Sequence, residues 1–478
     1  MNKKTFFIST AIDYPSEKPH LGHALEKIQA DVLARYKRME GFKVHFSTGT
    51  DEHGLKLQRK AEKARKSPRA FVDEMSEYFK RAWNLLNISY DDFIRTTQER
   101  HIKAVKEFIK RLYENGDIYK GKYKGLYCVD CETYYLPKDL KDGKCPIHKK
   151  EPEILEEETY FFRMSKYQKA LIKHIKENKN FIVPETKRNE IIERLKEPLH
   201  DLSITRANVE WGIPFPFDKK LTLFVWVDAL INYLTTIGYP RKKFQKFWPA
   251  DIHVIGKDIL WHHCVIWGSL LMSVGLPLPK TIFVHGFITV EGQKMSKSLG
   301  NIVNPLEIIE KYGADSLRYF LLVEAPPFED LDFTFEKFKK RYNSDLASGL
   351  GNLVARIIAL AKKSKVKSPK LQIEDKELKA EISKTKEKWK KSLEEFKFNE
   401  GLISIWELIS FGDRYLEKKK PWELLKLKQK EAKPVISDLL SLLVEIDKLL
   451  EPFLPKTSKK ILNQTKNPAK SEILFPKI

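Results

Sequence analysis

Apolar and polar positions change period several times along this chain, and each change marks a different kind of element. Near the start, Phe6, Phe7, Ile8, Ala11 and Ile12 read as a buried strand. Leu25, Ile28, Val32 and Tyr36 follow at helical spacing and are stopped by Gly41. To about residue 116 such strands and amphipathic helices alternate, which predicts an α/β layer. Over residues 120–158 the pattern breaks into short Tyr- and Cys-containing strands that read as an insertion without a large core. Residues 211–279 return to α/β character, with Phe224-Val225-Trp226 and His253-Val254-Ile255 as strand candidates. Beyond residue 298 helical periodicity takes over, and Leu439, Leu442, Leu443, Ile446, Leu449 and Leu450 form an i, i+3, i+4, i+7 stripe. Residues 362–391, rich in Lys and Glu, predict either a loop plus an exposed helix or a flexible tie. No internal repeat is visible.

Composition adds scale and a partner class. A chain of 478 residues is too long for one ordinary domain, and 42% hydrophobic content is enough for real cores. Lys and Arg number 87 against 65 Asp and Glu, a formal net charge of +22. Such a balance favours a polyanionic partner, nucleic acid first, although a lysine-biased proteome produces the same excess. The opening Met1-Asn2-Lys3-Lys4 leads into a short apolar run that soon meets Asp13, and no later apolar stretch reads as long enough to span a membrane. The expectation is a cytoplasmic protein.

Three of the four cysteines lie close together: Cys128-x-x-Cys131 and, after thirteen intervening residues, Cys145-Pro-Ile-His148. A Cys₃His set at this spacing suits tetrahedral zinc, and four protein ligands leave no open position, so the metal is expected to be structural. A redox Cys-x-x-Cys with a bystander pair is the competing reading. Cys264 reads as an ordinary core thiol.

Two short stretches carry the chemistry. His20-Leu21-Gly22-His23 lies between the first strand and the first helix, where free backbone N–H groups and the helix dipole favour an anion. Gly22 removes the side chain that would block close approach. Lys294-Met295-Ser296-Lys297-Ser298 adds a second pair of cationic donors. Alone, the first is ordinarily a capping or surface feature and the second a solvated charge face. Together, in this order, they resemble the two signatures of class I aminoacyl-tRNA synthetases, which implies a Rossmann-like parallel sheet whose two halves hold ATP. Thr48-Gly-Thr-Asp51-Glu-His53-Gly54, Trp211-Gly-Ile-Pro214, Gly256-Lys-Asp258, His285-Gly286 and the Cys₃His knuckle resemble the methionyl-tRNA synthetases, in the bacterial single-knuckle form, over essentially the whole chain.

The resemblance implies roles residue by residue. His20, His23, Lys294 and Lys297 would be catalytic and surround the triphosphate, with Gly22, Met295, Ser296 and Ser298 in the ATP site and Gly256 and Asp258 approaching the ribose. Asp51 would receive the ammonium of methionine, with Ile12, Tyr14, Trp226, Leu230, Tyr233 and His263 around the side chain. A thioether offers polarizability and almost no hydrogen bonding, so aromatic walls suit it. Asn352, Arg356, Pro421 and Trp422 fall where the family reads a CAU anticodon, and a tryptophan beside lysines suits stacking on an unpaired base. Pro-Trp at a helix start is also a common structural pairing. Asp13 and Pro15-Ser16 depart from the family's pattern and put the turn around Tyr14 in question.

The expected organisation is residues 1–116, first half of the catalytic domain; 117–212, the knuckle insertion; 213–280, the second half; 281–345, the lysine loop and stem-contact region; and 346–478, an all-α anticodon-binding bundle. Expected cofactors are one structural Zn²⁺ and Mg²⁺ with ATP; expected partners are methionine tRNA and L-methionine, with the protein acting as a monomer. Other class I synthetases, such as the cysteinyl or leucyl enzymes, and a non-catalytic tRNA-binding relative are the alternatives. The long editing insertion of leucyl-type enzymes has no room here, and the cysteinyl enzyme uses its zinc to bind substrate.

Overall fold

The structure is a computed structural model describing residues 4–130, 133–135, 137–295, 300–366, 373–427 and 429–478. It divides into two compact units: Met1–Pro19, Lys37–Arg81 and Ser89–His285, and His20–Tyr36, Ala82–Ile88 and Gly286–Ile478.

The first unit is built on a six-stranded parallel sheet: β1 (Thr5–Thr10), β2 (Lys43–Thr50), β3 (Asp92–Arg95), β4 (Ile182–Val183), β5 (Ile252–Gly256) and β6 (Thr281–His285), in the order β3-β2-β1-β5-β6-β4. Ile8 sits beside Phe46 on one side and Ile252 on the other, and all three are buried. A parallel sheet covered on both faces favours apolar strands, and Phe6, Phe7 and Ile8 supply that run in β1. Growth of the sheet reverses between β1 and β5, and ligands of such sheets bind outside the carboxyl ends of the strands at that point. The pairing continues past β1: Asp13 N–H donates to Gly49 C=O (2.8 Å) and Asp51 N–H to Asp13 C=O (2.8 Å).

Two expectations need correction here. Residues 120–158 hold the short strand Thr133–Tyr135 but also two long ones: Ile118–Cys128 pairs antiparallel with Glu153–Phe162, and Lys120 reaches Glu158 diagonally across the pair at 3.0 Å. Opposite charges facing each other support such a ribbon without a large core. Phe224-Val225-Trp226 is not a strand. The strand Asp218–Leu223 ends first, and helix α1 (Val225–Leu230) begins, with Asp228 N–H donating to Phe224 C=O at 3.2 Å. Periodicity alone cannot separate a buried strand from a short buried helix, and nearly every residue of α1 is buried. His253-Val254-Ile255 does lie in a strand, β5.

The second unit carries a small sheet of Ile288–Val290, Gln293–Lys294 and Leu331–Phe333, followed by helices to the end of the chain. The leucine stripe lies on Gln429–Leu450, with Leu439, Leu442, Leu443 and Ile446 fully buried. Within the charged stretch, Lys376–Glu394 is a helix that buries Leu378, Ile382 and Trp389. Contrary to expectation, one helical run, Phe335–Ser364, is long and apolar enough by length and composition to cross a membrane. It behaves as a core helix: Leu346, Leu350, Leu353 and Ile357 are buried, and Arg341 pairs with Asp345 at 3.2 Å and with Glu324.

Candidate active site

In the second unit, His20 directly precedes the helix Leu21–Met39 and His23 lies in its first turn. The two rings stack at 3.8 Å and 27°. His20 N–H donates to His23 Nδ1 (3.2 Å), and Gly22 N–H donates to His20 Nδ1 (3.1 Å). A backbone N–H only donates, so both Nδ1 atoms accept. Each neutral ring therefore carries its proton on Nε2 as a donor. Burial, reinforced by the positive charges of Lys27 and Lys294, lowers the His20 pKa from 6.5 to about 4. A Cβ on Gly22 would stand 3.0 Å from the His20 ring, so glycine lets that ring fold back over its own helix start without crowding. The same Cβ would lie 4.0 Å from the Met295 methyl, so the beginning of the lysine loop is close by.

Lys294 ends a hairpin whose turn residues, Glu291 (φ 53°) and Gly292 (φ 73°), both have the positive φ that a tight hairpin turn requires. Asp332 fastens that turn by accepting from Gly292 N–H (2.7 Å) and Thr289 Oγ1 (2.9 Å). The Gly292 hydrogen bond holds the Asp332 carboxyl below its usual range. Lys294 is exposed, its Nζ 5.4 Å from the Phe287 ring centre. Ser296, Lys297 and Ser298 lie outside the described residues.

In the first unit, buried Asp51 leaves the carboxyl end of β2 on a tightly held loop. The neighbouring Glu52 is fully buried and accepts from Thr50 Oγ1 (2.7 Å), Arg95 Nε (2.6 Å) and Thr97 Oγ1 (2.5 Å). Ile12 and Tyr14 are half-buried; Tyr14 packs against the core, and Lys56 Nζ lies 5.8 Å from its ring centre. Trp226 and Leu230 sit one turn apart on α1.

Tyr233 Oη lies 2.7 Å from His263 Nε2, and His263 Nδ1 lies 2.9 Å from Ile259 C=O. The carbonyl only accepts, so Nδ1 donates to it and Nε2 accepts the tyrosine proton. Both nitrogens of this buried ring are thereby spent on the protein. Trp226 stands edge-on to His263 at 6.5 Å and stacks on His262 at 3.8 Å. His262 and His263 open a π-helical turn, His262–Ile266, a distortion that often marks functional sites. Burial and repulsion from His263 lower the His262 pKa to about 3, so it is a neutral stacking partner. Together these groups make a polarizable, largely aromatic wall.

Gly256 ends β5 and Asp258 follows it; a Cβ on Gly256 would stand 2.8 Å from the Asp258 carboxylate.

Cys128, Cys145 and His148 bring their ligand atoms within 4.8 Å of one another. His148 N–H donates to Cys145 Sγ at 3.4 Å, the arrangement of a compact knuckle turn. Two thiols and an imidazole on one point fit zinc. Cys131 lies outside the described residues. Cys264 is a fully buried thiol with its pKa pushed well up by burial, as expected of a core residue.

Among the anticodon candidates, the Arg356 guanidinium lies 5.7 Å from the Trp422 ring centre and pairs with Asp413 at 3.4 Å and with Glu417. Asn352 is exposed one helical turn before Arg356, on the same face. Pro421 and Trp422 open a short helix, Pro421–Leu427, after Lys420 turns the chain at φ 42°.

A family model described as tRNA synthetases class I (M) matches residues 6–137 and 130–358, and one described as the anticodon binding domain of methionyl tRNA ligase matches 367–473. The chain belongs to the methionyl-tRNA synthetase family. It is 44% identical over 471 residues to the methionine–tRNA ligase of Caldanaerobacter subterraneus, covering 97% of this chain and 74% of that protein. With the Thermotoga maritima ligase it shares 44% identity over 470 residues, covering 96% and 75%. The solved Mycobacterium tuberculosis methionyl-tRNA synthetase in complex with methionyl-adenylate is similar at a TM-score of 0.91 and 38% identity, covering 99% of this chain and 97% of that one.

Within this family member several buried groups escaped the sequence reading. His101 lies on a helix without any motif around it, and Asp228 is hidden in an apolar run, yet both are fully buried and hydrogen-bonded. The available signal was the charge itself: an aspartate inside Val225-Trp-Val-Asp-Ala-Leu230 must have a buried partner.

Proposed function

We propose that this chain charges methionine tRNA in two steps. Methionine carboxylate attacks the α-phosphate of ATP, giving methionyl adenylate and pyrophosphate. The terminal adenosine 2′-hydroxyl of the tRNA then takes the methionyl group. The observation that carries the reading is the imidazole pair at the start of a helix, two stacked rings whose Nδ1 atoms both accept from backbone N–H groups, so that the proton of each ring is fixed on Nε2. Preorganised neutral donors suit a phosphate site, where charge develops on oxygen during transfer.

In this reading His20, His23, Lys294 and Lys297 stabilise the triphosphate, with Gly22, Met295, Ser296 and Ser298 shaping its surroundings. Gly256 and Asp258 serve the ribose. Asp51 takes the ammonium, and Ile12, Tyr14, Trp226, Leu230, Tyr233 and His263 enclose the thioether. No covalent enzyme intermediate is required; the residues act by positioning and charge stabilisation. Mg²⁺ would accompany ATP and neutralise part of its charge. Cys128, Cys131, Cys145 and His148 would hold one zinc, which stabilises the knuckle and stays outside the reaction. Asn352, Arg356, Pro421 and Trp422 would read the anticodon, and the protein would act as a cytoplasmic monomer. Methionine-dependent ATP–pyrophosphate exchange, followed by charging of methionine tRNA, tests the proposal; exchange driven equally by another amino acid would overturn it.

A further inference from the structure

One polar cluster of the first unit takes no part in that scheme. Asp228 is fully buried at the centre of α1, between Trp226 and Leu230. Its Oδ2 lies 2.7 Å from His53 Nδ1, and its Oδ1 lies 2.8 Å from His101 Nε2. His101 is held from behind by Thr235 Oγ1 at 3.1 Å from its Nδ1. His53 meets the edge of Trp211 at 5.5 Å, and the Trp211 indole donates to Glu52 C=O at 2.5 Å. One carboxylate therefore fastens three separate segments: the loop carrying Asp51, the helix Glu99–Glu114, and the helix carrying Trp226 and Leu230.

A buried carboxylate is tolerated only when its oxygens are satisfied, and an ionised one only accepts. Here both oxygens face imidazole nitrogens, which must present N–H to them. Burial alone would push the Asp228 pKa up, but attraction to His53 and hydrogen bonds from both rings outweigh it and hold the group below its usual value. The carboxylate stays charged and the two rings stay oriented. Recognition of a small amino acid needs its ammonium acceptor and its side-chain wall at a fixed separation, and small misplacements of such groups are costly.

We propose that Asp228 is a positioning residue for amino-acid recognition, setting the Asp51 loop through His53 and the Trp226–Leu230 wall through its own helix. The inference rests on the reading that Asp51, Trp226 and Leu230 bind methionine.

The test uses the full-length chain and ATP–pyrophosphate exchange. Asp51→Asn examines the underlying reading: it should raise KM for methionine, and an unchanged KM there removes the pocket assignment itself. Asp228→Asn examines the inference. Its amide keeps the shape but presents N–H₂ to one imidazole. KM for methionine should rise about tenfold or more, KM for ATP should stay within about twofold, and kcat should fall less than about threefold. Discrimination between methionine and norleucine should also shrink. His53→Gln should give the same selective rise, and the double variant should be no worse than the poorer single one, because both break one connection. Should Asp228→Asn not fold, His53→Gln and His101→Gln carry the same measurement. The proposal is overturned if KM for both substrates and kcat move together, if none moves, or if the effects of Asp228→Asn and His53→Gln simply add.

Discussion

If His20 works as a neutral donor, replacing it by glutamine and by alanine should give different enzymes, and the difference should not depend on pH. The structure fixes the argument at two points. Gly22 N–H occupies Nδ1, leaving Nε2–H as the working group, and burial keeps the ring neutral down to about pH 4. Loss of one preorganised donor to developing charge costs roughly 2.7–4 kcal/mol, about 10²–10³ in rate, which is the expectation for His20→Ala. Glutamine can return an N–H near the Nε2 position but on a freely turning chain. A neutral hydrogen bond of about 0.5–1.5 kcal/mol should recover roughly 3- to 10-fold over alanine. The assay is methionine-dependent ATP–pyrophosphate exchange for the parent, His20→Gln and His20→Ala between pH 5.5 and 8. A charged imidazole with an ordinary pKa of about 6.5 would grow about thirtyfold in population across that range. The ratio of parent to His20→Gln should instead stay flat. A ratio that climbs steeply as pH falls, with glutamine no better than alanine, would refute the neutral-donor reasoning.

Metal analysis of protein purified without chelator should find about one zinc per chain, and Cys145→Ser should hold less; zinc-free active protein contradicts the knuckle assignment. Trp422→Ala should weaken tRNA charging while leaving methionine-dependent exchange nearly intact, whereas equal losses in both assays would make Trp422 a packing residue. Gly49→Ala should fail to fold or melt far lower, because its Cβ would lie 1.9 Å from Ile94 C=O across the β2–β3 pair. Asp447 is buried, and burial lifts its pKa from 3.8 to about 6. A carboxyl with a raised folded pKa contributes stability that is complete below 3.8 and lost as pH rises through 6. Asp447→Asn, which can still accept from Ser458 Oγ (2.5 Å in the parent), should therefore raise the melting temperature above pH 7 and not below pH 4. The gain should be up to about 3 kcal/mol, and an equal change at both ends would rule out linkage.

What the sequence made legible was whatever depends on local pattern. The β1 run, the stop at Gly41 and the leucine stripe of Gln429–Leu450 each follow from a period that one element imposes on its own residues. The two signatures were readable because each is short and contiguous. The misreading of Phe224-Val225-Trp226 has a physical cause: full burial removes the polar positions that would reveal the period. The long ribbon Ile118–Cys128 was missed because its stability comes from partners distant in sequence, such as Glu158, which pairs diagonally with Lys120, and not from apolar alternation. Asp228 stayed hidden for the same reason, since His53 and His101 reach it across 175 and 127 residues.

The departures at Asp13, Pro15 and Ser16 show what the turn after β1 has to supply. Part of its contribution to the first unit runs through the backbone: Asp13 N–H donates to Gly49 C=O and Asp13 C=O accepts from Asp51 N–H, so the strand pairing of β1 with β2 is carried one step beyond both strands. That step fixes the height at which Asp51 leaves the sheet. Ser16 N–H then donates to Tyr14 C=O at 2.8 Å, closing the turn tightly enough to bring Tyr14 back against the core. These hydrogen bonds use main-chain atoms that any residue but proline offers at positions 13 and 16. Side-chain identity at position 16 is consequently freer than the position of the turn, whereas Asp13 is itself buried. The carboxyl ends of β1, β2 and β5 deliver Tyr14, Asp51 and Gly256 to the side of the sheet where its growth reverses, and that delivery depends on strand order and register. An altered turn sequence can therefore coexist with an unaltered arrangement of the groups it presents.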